Sequence, residues 1–176
     1  DDNKFQQASK KAMQCVTTDM TDLEKIVILH DYLITHCKYD DETEITSHPT
    51  NRNAYGALVD GKAVCQGYTL TYKYLLDQAG IESYIAQSAN HAWNIVKLDG
   101  KYYNVDVTFD DPRIYESKET NGSVESGQPN DVLGYASHSH MLVSESKLRS
   151  GSDRDSYTNY TIKGTRDTSK VVTSDT

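Results

Sequence analysis

The spacing of apolar residues along this chain changes once, near residue 80, and the change divides the sequence into two kinds of element. Before it, apolar positions recur at helical intervals. In "DMTDLEKIVILHDYLITHCKYD" (residues 19–40), Leu23, Ile26, Val27, His30, Leu33, Ile34 and Cys37 fall on one stripe behind an Asp or Thr able to cap the first turn. The earlier "KFQQASKKAMQCV" sets Phe5, Ala8, Ala12 and Cys15 or Val16 on one side and predicts a weaker helix. Turn residues and a proline in "DDETEITSHPTNR" (40–52) predict a surface loop, and "NAYGALV" a short helix ahead of a turn at Gly61. A third helix begins near Cys65, with Tyr68, Tyr72, Leu75, Leu76 and Ala79 on its apolar face and Gly80 as a left-handed stop.

After Gly80 the period shortens. "IESYIAQS", "HAWNIVKL" and "KYYNVDVTF" are short β-branched and aromatic runs that predict strands, the last two joined through Asp99-Gly100, a hairpin signal. "SHMLVSESKL" (139–148) could add a strand, "SKETNGSVESGQPND" (117–131) reads as exposed turn, and beyond Ser150 only "YTNYTIKG" is expected to pack. No internal repeat is present. Helices followed by antiparallel strands predict an α+β fold, with one domain over residues 1–160 and a polar tail or linker over 161–176.

Charge and composition remove several functions. A net charge of -8 argues against a nucleic-acid partner, because such binding rests on Lys and Arg neutralising phosphates. No apolar run reaches the roughly 18 residues of a membrane span, and no amino-terminal signal is recognised, so the domain is expected to be soluble. The absent initiator Met suggests a processed or trimmed piece. With the acidic charge and the low-complexity end, it points to an extracellular or cell-surface protein. The 13 Tyr against 2 Phe suit half-buried surfaces, either as a groove for peptides or sugars or as Tyr standing in for Phe in a polar domain.

Cysteine arithmetic leaves one thiol over. Cys15 and Cys37 could pair across two helices or remain buried thiols; in both cases Cys65 is free. At a helix start, unpaired N–H groups and the positive end of the dipole stabilise a thiolate over a thiol, and the same N–H groups can bind an oxyanion. A thiol nucleophile also needs a base and a group to orient it. His91 and Asp106 lie on the two strands joined by the Asp99-Gly100 turn, where they could face each other across a hairpin. Cys65 is then the candidate nucleophile, His91 the base and Asp106 the residue that fixes the imidazole tautomer. Trp93 would share a face with His91, either walling the cleft or packing in the core.

The run "GKAVCQGYTLTYKYLLDQAGIESYIAQSANHAWNIVKLDGKYYNVDVTFDD" (61–111) resembles the core of the transglutaminase-like superfamily, especially its bacterial branch, with the family's Cys, His and Asp blocks in order. "LEKIVILHDYLITHCKYD" resembles the helix preceding that core. The resemblance implies a papain-like arrangement in which a nucleophile helix packs on an antiparallel sheet, and it assigns the nucleophile, base and orienting acid to Cys65, His91 and Asp106. It also implies a side-chain oxyanion donor, for which Tyr55 and Asn53 are the candidates beside the Cys65 N–H. Gln66 and Gly67 follow the cysteine where animal crosslinking members have Trp, so crosslinking is not implied.

The expected function is thiol-dependent acyl transfer on peptide or protein amides, hydrolytic in the manner of a cysteine protease or amidase. The alternatives are a crosslinking transglutaminase or a noncatalytic surface domain that binds protein or glycan. No cofactor is expected. His36 and His48 with Cys37, or His138 with His140, lack the spacing of a zinc frame, and solvated loops account for "DDETE" and Asp110-Asp111 without calcium.

Overall fold

A computed structural model describes residues 1–40, 49–112, 114–120, 123–130 and 136–163, with the backbone alone over 114–130. Helix α1 (Asp2–Met13) buries Ser9 and Ala12 and lays Phe5 against Tyr74, ring centroids 5.3 Å apart. Helix α2 (Asp22–His36) is capped by Thr21, whose hydroxyl accepts from the Glu24 N–H at 3.2 Å. Its apolar stripe is the predicted one with a small rotation: Ile26, Leu29, His30, Leu33 and Ile34 are buried, whereas Leu23 stands 47% exposed. Strand β1 (Lys38–Tyr39) follows and pairs in parallel with β2 (Lys62–Ala63). Between them, residues 41–48 of the expected surface loop lie outside the described residues, and a π-helical turn over Gly56–Asp60 stands where the short helix was expected.

Helix α3 (Cys65–Gln78) starts at the cysteine and carries Tyr68, Tyr72, Leu75 and Leu76 into the core. Strands β3 (Ser83–Gln87), β4 (Ala92–Leu98) and β5 (Lys101–Val105) form an antiparallel meander. The β4–β5 turn is the Asp99-Gly100 pair, both at positive φ (51° and 77°), the handedness a tight hairpin demands and glycine adopts without strain. Beyond the short helix α4 (Val107–Asp110), β6 (Ile114–Thr120) and β7 (Ser123–Asn130) pair as an antiparallel ribbon where the sequence suggested only turns. Their side chains lie outside the described residues.

One other expectation is corrected. The strand proposed for 139–148 is a single antiparallel bridge, Asn104 to Val143, followed by helix α5 (Glu145–Ser150). Ser144 caps that helix by accepting from the Lys147 N–H, which favours a helical turn over continued pairing. Within the "YTNYTIKG" segment expected to pack, β8 (Thr161–Lys163) pairs with β3 at the sheet edge and gives the order β5-β4-β3-β8. Residues 164–176 lie outside the described residues.

Strand β4 is buried on both faces, which explains why its sequence lacks clean alternation. Asn94 and Val96 face the helices, where Asn94 donates to the Thr69 carbonyl at 3.0 Å and Val96 joins the core of α1, α2 and α3. Trp93 and Ile95 face a second cluster with Ala86, Leu148 and Tyr157. The helical half thus covers one face of the sheet and the segment after residue 143 covers the other. Trp93 belongs to this core; its indole N–H donates to Asn104 at 3.0 Å.

The start of α3 sits against the chain before it. A Cβ on Gly67 would stand 2.4 Å from the Asn51 carbonyl oxygen and 2.8 Å from Ala63 Cβ, so only glycine lets the helix approach this closely. Gly67→Ala should therefore destabilise the fold by about 1–3 kcal/mol, seen as a lower urea midpoint with an unchanged slope.

Candidate active site

Helix α3 opens with Val64 at its N-cap, and no side chain caps it. The first-turn N–H groups have no helical partner. Instead, the Gln66 and Ala92 N–H groups and His91 act on the Cys65 thiol. Burial alone would push the thiol up, but His91, its charge and the two N–H groups outweigh it, and Cys65 ionises below its ordinary value.

His91 and Asp106 lie one residue beyond the paired ends of β4 and β5. Continuing the register past Asn94–Val105 sets Trp93 opposite Asp106 and leaves His91 diagonal to it on the same face, within side-chain reach. His91 Nε2 stands 2.6 Å from Asp106 Oδ2, which leaves Nδ1 for the sulfur. Burial opposes charge on the imidazole, but the hydrogen bonds and charges of Asp106 and Cys65 prevail and raise His91 to about 9. The thiol is shifted down and the imidazole up, so the contact favours the thiolate–imidazolium form of the pair.

Asp106 is fully buried and accepts three hydrogen bonds. Besides His91, Tyr157 donates its hydroxyl to Oδ2 at 2.7 Å, and the Phe109 N–H donates to Oδ1 at 3.1 Å because Asp106 is also the N-cap of α4. The imidazole is held flat as well: Phe109 stacks on it with centroids 4.5 Å apart, Trp93 at 5.9 Å, and Tyr157 meets its edge. Sequence reasoning missed Tyr157 and Phe109. The Asp106-x-x-Phe109 spacing carried a cap signal that could have revealed the second; Tyr157 is 51 residues away and had none.

The thiol and imidazole line an open cleft of about 400 Å³ with Tyr39, Arg52, Val64, Gln66 and the Gln87–Ala92 turn. Tyr55 does not line it, and Asn53 directs its side-chain oxygen to the Gly56 N–H at 3.1 Å. The donors at hand beside the sulfur are backbone N–H groups of the α3 start. No disulfide joins Cys15 and Cys37, and Cys65 is in none either. Of the residues imagined as a zinc set, His48 lies outside the described residues.

The sequence profile of the transglutaminase-like superfamily matches residues 9–107, more than half of the chain, and takes in Cys65, His91 and Asp106. The chain belongs to the transglutaminase-like superfamily. Its helices and antiparallel sheet are the α+β, papain-like core of that superfamily, whose members are usually cysteine-dependent enzymes.

Solved structures similar to it include a transglutaminase (17% identity, TM-score 0.46, 61% of this chain and 31% of that one). A candidate cysteine protease from Cytophaga hutchinsonii aligns at 13% identity and TM-score 0.46, over 59% of this chain and 37% of that one. Menin, described with a binding site for the Mixed Lineage Leukemia protein, aligns at 16% and 0.46, over 72% and 28%. This transglutaminase-like chain spans about a third of the length of these proteins. No curated protein matches it by sequence. No helix among the described residues is long and apolar enough to cross a membrane.

Two outcomes follow from this geometry. Alkylation of Cys65 by iodoacetamide, followed by peptide mass spectrometry, should proceed well below the pH of an ordinary thiol, and His91→Ala should move its onset upward. Tyr157→Phe should lower stability by about 1–3 kcal/mol, because it removes a donor from a buried carboxylate, with the change read from denaturant midpoints.

Proposed function

We propose that this transglutaminase-like chain is a thiol acyl-transfer enzyme acting on peptide or protein amides and resolving its acyl-enzyme with water, as a cysteine protease or amidase does. The observation that carries the reading is the line from an uncapped helix start through Cys65 and His91 to a buried Asp106, opening on a cleft. Its described elements act together as one domain. Peptide or protein is the partner, and the acidic charge supports an extracellular or cell-surface setting.

In this scheme Cys65 Sγ, already a thiolate, attacks the amide carbonyl carbon. Negative charge moves onto the carbonyl oxygen, where N–H groups of the α3 start stabilise it. Imidazolium His91 gives its Nδ1 proton to the departing amine nitrogen, the C–N bond breaks, and a thioester remains. Neutral His91 then takes a proton from water as its oxygen attacks the thioester, and the thiolate leaves with a carboxylic acid product. Asp106 remains ionised throughout, holding the Nε2 proton and the ring orientation. Water is favoured over an amine because it needs no acceptor site of its own.

A panel of quenched peptides and glutamine amides, with and without a labelled primary amine, tests the proposal. Cys65→Ser should abolish turnover with the fold retained, and Asp106→Ala should impair it less. The rate should rise with pH as the thiol ionises and fall as His91 loses its proton near pH 9. Incorporation of the amine in preference to hydrolysis would make the chain a crosslinking enzyme. Turnover no higher than that of Cys65→Ser on every substrate would end the thiol-enzyme reading and leave a binding domain.

A further inference from the structure

Asp110 lies at the end of the helix that Asp106 caps, and around it gather three histidines and a second aspartate from distant parts of the chain. His30, fully buried on α2, has a carboxylate at each ring nitrogen: Asp110 Oδ2 lies 2.9 Å from Nε2 and Asp31 Oδ1 2.8 Å from Nδ1. His138 brings its Nε2 to 2.7 Å from the same Asp31 oxygen. Asp110, itself buried, is further fixed by the His140 N–H at 2.8 Å, by His140 Nδ1 and by the Ser139 hydroxyl.

A neutral imidazole has one N–H, so His30 satisfies both carboxylates only by carrying two protons or by holding a cation on its Nδ1 side. His30 Nδ1, Asp31 Oδ1 and His138 Nε2 all lie within 4.8 Å of one another. Two imidazole nitrogens and a carboxylate oxygen form the donor set of a three-ligand zinc site. Spreading the two contacts to Asp31 Oδ1, 2.8 and 2.7 Å, to the ~3.3 Å edges of a tetrahedron with ~2.0 Å bonds requires a shift of about half an ångström in each. His138 is 49% exposed at its side chain and Asp31 35%, which leaves an entry path and room for water. On the opposite ring edge, Asp110 accepts the Nε2 proton of His30, the outer partner that a metal-bound histidine characteristically has.

We propose that His30 Nδ1, Asp31 and His138 Nε2 bind a divalent transition metal of the zinc class, with Asp110 orienting His30 and water completing the coordination. The metal clips the segment around residues 136–143 to α2. That segment also supports Asp106, whose N–H donates to the His140 carbonyl at 3.0 Å. The site is independent of the thiol chemistry and stands or falls without it.

The test uses untagged full chain, stripped with a chelator and titrated with Zn²⁺ against a chromophoric competitor, then with Co²⁺ followed by its visible bands. One equivalent should bind. His138→Ala and Asp31→Asn should weaken binding at least 10-fold, Asp110→Asn roughly 10–100-fold, and His36→Ala not at all. Far-UV circular dichroism checks that each metal-free variant is folded. In the unmutated chain, Zn²⁺ should protect His138 but not His36 from diethyl pyrocarbonate, read by peptide mass spectrometry. No zinc uptake, uptake unchanged in His138→Ala, or equal labelling of His138 with and without zinc would overturn the site.

Discussion

The Asp106 carboxylate is a buried charge whose tolerance in the fold depends on donors from three separate parts of the chain. His91 precedes β4, Tyr157 ends a 3-10 turn after α5, and the Phe109 N–H belongs to the helix Asp106 caps. An uncompensated carboxylate at this depth would cost several kcal/mol, so each donor is held to its place as firmly as the charge needs it. The rigidity of the imidazole follows: its far nitrogen is tied to Asp106 and its face is packed between aromatic rings.

The Cys65 end is organised the opposite way. Where a helix usually gains stability from a Ser, Thr, Asp or Asn cap, α3 has Val64 and no side-chain cap. The lost capping is offset further along the same helix, where Tyr68, Tyr72, Leu75 and Leu76 are wholly buried. Tyr72 donates to the Ile26 carbonyl and Tyr68 to the Cys37 carbonyl, so the helix is anchored to α2 and to its end by hydroxyls as well as rings. Tyrosine in place of phenylalanine thus has a structural use inside the core, which favours packing over a groove for these residues.

The two ends meet through the backbone around Asp106 and Asp110. Asp110 lies one helical turn after Asp106, is buried with it, and collects His30 from α2 and His140 from the segment ahead of α5. The His140 carbonyl in turn receives the Asp106 N–H. A polar layer of imidazoles and carboxylates therefore joins the helical core to the end of β5 that carries Asp106. In so dry a setting such a network is stable only when every member is satisfied.

Periodicity determined the local elements: the α2 stripe, the start of α3 at Cys65, the three-strand meander and the Asp99-Gly100 turn are consequences of side-chain spacing and backbone preference within a few residues. The order of Cys65, His91 and Asp106 was legible for the same reason, since the last two are neighbours across one short hairpin. Tyr157 on Asp106, His138 beside Asp31 and the β6–β7 ribbon were not legible. Tyr157 and His138 arrive from 51 and 107 residues away, and nothing in the local pattern records such a meeting. Helix α5 replaced a predicted strand because one apolar run, Met141–Val143, suits either period, and the Ser144 cap with the packing of Leu148 under Trp93 decided between them. The sequence alone determined which groups could do chemistry; tertiary structure decided which of them share a buried environment, because burial and long-range hydrogen bonding exist only once the chain has closed on itself.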